Sequence, residues 1–223
     1  MKTMITAHSG SDGTPDNSME FVNYALGCGV EALEVDVRRR GDGSFFLSHD
    51  TAAGACPTLR EVFSLLRSSH MKINCDLKEA DMELGVLALA KEYGIENRLL
   101  LSGSVNPYLV KENPEIRDRT LFNLAPFASH ILKRFDRGQE PGEDDLQSIA
   151  EQCAEFGVRV INIPYGLCTD RFLRFFRDRD IGISAWTVGD EETAKRLFQA
   201  HIVNVTTRKP AFMRTVRETM KEI

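Results

Sequence analysis

An alternation that repeats eight times constrains this chain more than any other feature: a short apolar run of strand character, a turn, then an amphipathic stretch of helical period. The strand-like runs are MITAHS (4–9), ALEVDVR (32–38), MKINCDLK (71–78), RLLLSGS (98–104), RTLFNL (119–124), VRVINIPY (158–165), GISAWTV (182–188) and IVNVTT (202–207). The helical stretches include MEFVNYALGCG, capped by Asn17 or Ser18, and LREVFSLLRSS, capped by Thr58. MELGVLALAKEYG (82–94), a short helix near Tyr108–Glu112, DDLQSIAEQCAEFG, DRFLRFFRDRD, EETAKRLFQAH and AFMRTVRETMKEI complete the series. Residues 125–142 are less regular and read as a lid or an extra helix.

Strands that alternate with helices imply parallel pairing through right-handed crossovers. Eight units in 223 residues favour an α/β fold of the (β/α)8 TIM-barrel type, one domain spanning 1–223, over an open doubly wound sheet. No GxGxxG or GxxxxGK[ST] turn follows the first strand, which argues against dinucleotide and P-loop binding. With 42% hydrophobic and 27% charged residues the chain can bury a sizeable core. A net charge of -5 argues against nucleic-acid binding by broad phosphate neutralisation, and leaves room for a small anion held by local cations.

The start, MKTMITAHSGSDG, reaches polar residues too soon for a signal-peptide core, and no apolar run has the length of a membrane span. Five scattered cysteines without a CxxC pair read as free thiols of a reducing compartment. The expectation is a cytoplasmic protein with no stable membrane insertion. Phe172, Phe175 and Phe176 fall on a helical spacing that suits packing on a barrel better than a lipid surface.

In such a barrel the chemistry collects at the C-terminal ends of the strands. Glu34 and Asp36 lie two residues apart on the second strand and so share a face; Asp76 and Lys78 repeat that spacing on the third. Acidic side chains crowded on one buried face call for a cation, and three carboxylates form an oxygen cage suited to Mg²⁺ or Ca²⁺. His8 ends the first strand, and His49 ends the hairpin arm GSFFLSHD that follows the Gly41-Asp42-Gly43 turn. Both can reach the acidic cluster and exchange protons near neutral pH. His70, His130 and His201 read as structural or surface groups. Trp186, near the end of the seventh strand, either stacks on a ligand or plugs the barrel top.

These residues, in order, resemble the glycerophosphodiester phosphodiesterases. The family pattern runs His-Arg-Gly, Pro-Glu-Asn-Thr, Glu-x-Asp-Val, Lys-Asp-Gly, His-Asp, Pro-Thr-Leu, Glu-Leu-Lys and Trp-Thr-Val. Here the chain reads His8-Ser9-Gly10, Pro15-Asp16-Asn17-Ser18, Glu34-Val35-Asp36-Val37, Gly41-Asp42-Gly43, His49-Asp50, Pro57-Thr58-Leu59, Asp76-Leu77-Lys78 and Trp186-Thr187-Val188. The resemblance implies a divalent metal on Glu34, Asp36 and Asp76, an acid/base pair of His8 and His49, and substrate contacts from Lys78, Trp186 and the position of Ser9. It implies release of glycerol 3-phosphate and an alcohol from a small glycerophosphodiester.

The departures are specific. Ser9 stands where the family has Arg, which removes a guanidinium fork, with Arg38 and Lys78 as the candidates to replace its charge. Asp76 stands where Glu is usual, and the small insertion usual between His49-Asp50 and Pro57-Thr58 is nearly absent. Two alternatives stay open beside hydrolysis: a phospholipase D-like enzyme that ends on a cyclic phosphate, and a degenerate barrel that binds a phosphodiester without turnover.

Overall fold

The computed structural model describes residues 2–51 and 55–220. Positions 52–54, in the shortened segment after His49-Asp50, and the last three residues of the final expected helix lie outside the described residues. The strands are β1 (Met4–Ala7), β2 (Ala32–Arg39), β3 (Phe45–Leu47), β4 (Lys72–Leu77), β5 (Leu99–Gly103), β6 (Phe122–Asn123), β7 (Val160–Pro164), β8 (Gly182–Trp186) and β9 (Asn204–Thr207). The helices are α1 (Met19–Gly27), α2 (Leu59–Leu66), α3 (Glu83–Glu92), α4 (Pro107–Glu112), α5 (Pro114–Arg117), α6 (Ala125–Phe135), α7 (Glu143–Phe156), α8 (Asp170–Arg177), α9 (Glu191–Gln199) and α10 (Pro210–Thr219).

Eight strands pair in the order β5-β4-β2-β1-β9-β8-β7-β6, and a parallel bridge between Leu101 and Thr120 brings the two ends of the sheet together. Arg119 and Leu121 make that bridge through Leu101: its N–H donates to the Arg119 carbonyl at 2.9 Å, and its carbonyl accepts from Leu121 N at 2.8 Å. The result is the expected (β/α)8 barrel. β3 is the antiparallel arm on β2, turned at Arg40–Gly43, where Gly43 takes φ 85°.

Two elements differ in extent from the sequence reading. The run 119–124 places Phe122 and Asn123 in the ladder with β7 and meets β5 only through the single Leu101–Thr120 bridge, because turn bonds also hold its start: Arg119 N donates to Ile116 O and Thr120 N to Arg117 O. The irregular segment contains helix α6, which buries Ala128 and Ile131. Ser18, rather than Asn17, caps α1 by accepting from Phe21 N.

The outer face of the strands is aliphatic and is covered by helices, with Phe21, Phe63, Phe172 and Phe176 fully buried between the layers. Each such ring contributes on the order of 2–3 kcal/mol by leaving water. Phe175 is half-buried with the Arg179 guanidinium 3.7 Å above its ring, so the aromatic helix α8 faces the barrel. Among the described residues no helix is long and apolar enough to cross a membrane.

The inner face is polar. Thr6 Oγ1 donates to Asn204 Oδ1 at 2.7 Å, Asn204 Nδ2 to Ser184 Oγ at 3.0 Å, Ser184 Oγ to Asn162 Oδ1 at 2.8 Å, and Asn162 Nδ2 to Asn123 Oδ1 at 2.8 Å. This string crosses β1, β9, β8, β7 and β6 in turn. A separate clamp closes the outer seam: Arg217 on α10 donates to Thr3 O at 2.9 Å and to both oxygens of Glu31 at 2.8 Å, while Glu31 also accepts from Ile5 N and Lys2.

Candidate active site

The two-residue period of a strand decides which side chains meet at the rim. Thr6 continues to His8, Glu34 to Asp36, Asn74 to Asp76 and Lys78, Ser184 to Trp186, and Asn204 to Thr206 and Arg208, and all but Thr6, Ser184 and Asn204 line one cavity of about 410 Å³. His49 reaches the same cavity from beyond β3. His8, Glu34, Asp36, Asp76, Lys78, His49 and Trp186 are thus brought together at the C-terminal ends of the strands. Trp186 is 38% exposed, which sets it at the mouth rather than as a buried plug.

At the centre, Glu34, Asp36 and Asp76 each present an oxygen, all within 4.8 Å of one another. The register pairs Asp36 with Asp76, so adjacent parallel strands impose this approach. Lys78 bridges two of them, with Nζ 2.7 Å from Asp36 Oδ1 and in contact with Asp76. Burial, followed by the charges of Asp36 and Asp76, pushes the Glu34 carboxyl well above its ordinary range. Burial also acts to raise Asp36, but the donors from Lys78 and Asn17 outweigh it and hold that carboxyl below its usual value. Three carboxylates against one ammonium leave excess negative charge, and the all-oxygen donor set fits a hard divalent cation.

The histidines are held by different means. His8 Nδ1 lies 2.8 Å from the Ser9 carbonyl, which can only accept, so Nδ1 carries a hydrogen and in the neutral ring Nε2 is the nitrogen with the lone pair. His49 Nδ1 lies 3.0 Å from Asp50 Oδ1 on an exposed stretch of chain. The His49 backbone is gripped from below by Arg38.

Asn17, one of two cap candidates for α1 and part of the Pro15-Asp16-Asn17-Ser18 motif, is a structural partner of the cluster. Its Nδ2 donates to Asp36 Oδ2 at 2.7 Å and its Oδ1 accepts from Asp36 N at 2.9 Å. Ser9 links it to the second carboxylate: Ser9 Oγ accepts from Asn17 N at 2.6 Å, and Ser9 N donates to Glu34 Oε2 at 3.1 Å. The Pro15-Asp16-Asn17-Ser18 motif marks the position of Asn17, but not its pairing with Asp36. On the opposite side Asn74 Nδ2 donates to Ser102 Oγ, which donates to Asp76 Oδ1, while the buried Asn74 Oδ1 has no protein partner among the described residues.

No family model matches the chain. A curated protein of Caldanaerobacter subterraneus subsp. tengcongensis, named glycerophosphodiester phosphodiesterase, is 22% identical over 94% of this chain and 96% of its own length. The chain is similar in sequence to proteins named glycerophosphodiester phosphodiesterases. The fold agrees: a glycerophosphodiester phosphodiesterase structure from Parabacteroides distasonis superposes with a TM-score of 0.76 at 14% identity, covering 99% of this chain and 98% of that one. An Oleispira antarctica phosphodiesterase, solved with the product sn-glycerol-3-phosphate, superposes with a TM-score of 0.72 at 18% identity over 97% of each chain.

Where the glycerophosphodiester phosphodiesterase pattern and this chain part, the structure is informative. Ser9 does not line the cavity; it is 1% exposed and its hydroxyl is spent on Asn17. Arg38 does not supply the lost charge either, because its guanidinium is committed to the His49 carbonyl and to Glu79 Oε1 at 3.2 Å. Lys78 is taken up by two carboxylates. A residue the sequence reading passed over, Arg208, lines the cavity just beyond β9. Carrying the two-residue period one step past Thr206 would have found it.

Proposed function

We propose that the chain, acting as one domain over residues 1–223, hydrolyses glycerophosphodiesters to glycerol 3-phosphate and an alcohol. The observation that carries this reading is the meeting of two histidines and three carboxylates in one cavity at the strand ends. Glu34, Asp36 and Asp76 would hold a divalent cation, Mg²⁺ or Ca²⁺, which neutralises phosphoryl oxygens when bound.

The protein's own groups carry the proton transfers. His8 Nε2, left as the acceptor by the Nδ1–H bond to Ser9 O, takes the proton of the glycerol hydroxyl as that oxygen attacks phosphorus. His49 gives a proton to the departing alcohol oxygen as its bond to phosphorus breaks. Water then opens the cyclic phosphate with the roles reversed, and each histidine returns to its starting state. Trp186 at the mouth offers an apolar face to the carbon portions of the diester.

The test is release of glycerol 3-phosphate from glycerophosphocholine, coupled to its dehydrogenase, with Mg²⁺, Ca²⁺ or EDTA. EDTA-sensitive release that falls by about 10²–10⁴ in His49→Ala or His8→Ala, the usual range for a lost acid/base group, supports the reading. Glu34→Ala is expected to abolish release. No release with any metal, or release indifferent to these changes, would overturn it.

A further inference from the structure

The cavity has acidic and neutral polar walls but one guanidinium among its described lining residues, Arg208. Its placement follows from the strand register. Ala7 pairs with Thr207, and His8 N donates to Thr207 O at 2.8 Å, so Arg208 leaves the rim directly beside His8. It continues the inward face of Asn204 and Thr206.

Arg208 is also oriented. Its Nη1 donates to Asp16 Oδ1 at 2.9 Å, and among the described residues no protein acceptor meets Nε or Nη2. The pair in this pose packs against residue 10, which is glycine. A Cβ there would come within 1.8 Å of Asp16 Oδ1 and 2.7 Å of Arg208 Nη1, and its φ of 74° disfavours any side chain. The other cavity cation, Lys78, is neutralised by Asp36 and Asp76.

We infer that Arg208, aimed by Asp16, is the phosphate-binding residue of this site, presenting its free N–H groups to the anionic oxygens of a phosphodiester or phosphomonoester beside His8. A planar guanidinium with two unengaged nitrogens matches paired phosphoryl oxygens, which an ammonium does not. This rests on the phosphodiesterase reading for the substrate and on the geometry alone for the residue.

Calorimetric binding of glycerol 3-phosphate to the wild type, Arg208→Gln, Arg208→Lys and Asp16→Asn, with and without Mg²⁺, tests it. Arg208→Gln is expected to weaken binding by about ten- to a hundredfold, the equivalent of a charge-assisted hydrogen-bond pair. Arg208→Lys should recover part of that and Asp16→Asn should lose less, all with unchanged melting temperature since the side chain is half exposed. The same order in KM for glycerophosphocholine extends the result to the diester. Equal affinity in wild type and Arg208→Gln, or a wild type that does not bind glycerol 3-phosphate, overturns the assignment. A wild type that binds glycerol 3-phosphate through Arg208 but cleaves no diester overturns the hydrolytic reading and leaves the assignment standing.

Discussion

Arg38 holds the backbone carbonyl of His49 with two nitrogens, Nε at 3.1 Å and Nη2 at 2.8 Å. The bond joins β2, which carries two of the carboxylates, to the exposed stretch that carries the second histidine. A strand residue thereby fixes the position of a loop residue without touching its ring.

Arg38→Ala is therefore expected to lower kcat about ten- to a hundredfold with little change in KM, since a misplacement near 1 Å costs roughly a hundredfold. In the His49→Ala background the same change should cost almost nothing more, because both act through one group. Steady-state kinetics of the two single variants and the double variant check this; additive losses would show that Arg38 acts elsewhere.

Asn17 takes φ 52° and spends both ends of its carboxamide on Asp36. Asn17→Gly keeps the backbone at ease but leaves the Asp36 N–H and carboxylate short of partners, for an expected loss of about 1–3 kcal/mol in urea unfolding. Asn17→Asp keeps the shape and sets two like charges together. Repulsion raises the new carboxyl's titration, so this variant should be less stable at pH 7 than at pH 5 relative to wild type. A flat difference between the two pH values would contradict the geometry.

Glu31 gives a pH signature of the fold. Burial alone would raise its carboxyl, but donors from Arg217, Ile5 and Lys2 outweigh it and lower it from the ordinary 4.5 to about 2. A carboxyl lowered on folding stabilises above its unfolded value and loses that contribution as pH falls towards its folded one. The melting temperature of the wild type should drop between pH 4.5 and 2, and Glu31→Gln should flatten part of that drop while lowering stability at pH 7 by about 2 kcal/mol. Thermal melts across that range are the measurement.

The barrel is legible in the sequence because its signal is redundant: eight strand-like runs and their helices each repeat the same instruction, and the shortening of RTLFNL to two strand residues and one bridge does not change the topology. The convergence of Glu34, Asp36, Asp76 and Lys78 is legible for a local reason, the two-residue period on adjacent strands. What is not legible depends on distant chain. Arg208 stands beside His8 because β9 closes against β1, two hundred residues apart in sequence, and Ser9 turns away from the cavity because Asn17 folds back over it. Arg38 looks like one of three consecutive surface arginines until the hairpin arm returns over it.

The string of hydrogen bonds from Thr6 to Asn123 has a sense of travel, since each member passes its hydrogen to the next in the same direction round the ring. An aliphatic interior tolerates one replacement at a time by small shifts in volume. This one does not: exchanging one of the fully buried links, Thr6, Asn204 or Ser184, strands a donor on one side and an acceptor on the other. Substitutions at Thr6, Asn204 and Ser184 would have to arrive in compatible pairs, so the lumen changes in concerted steps while the outer wall drifts residue by residue.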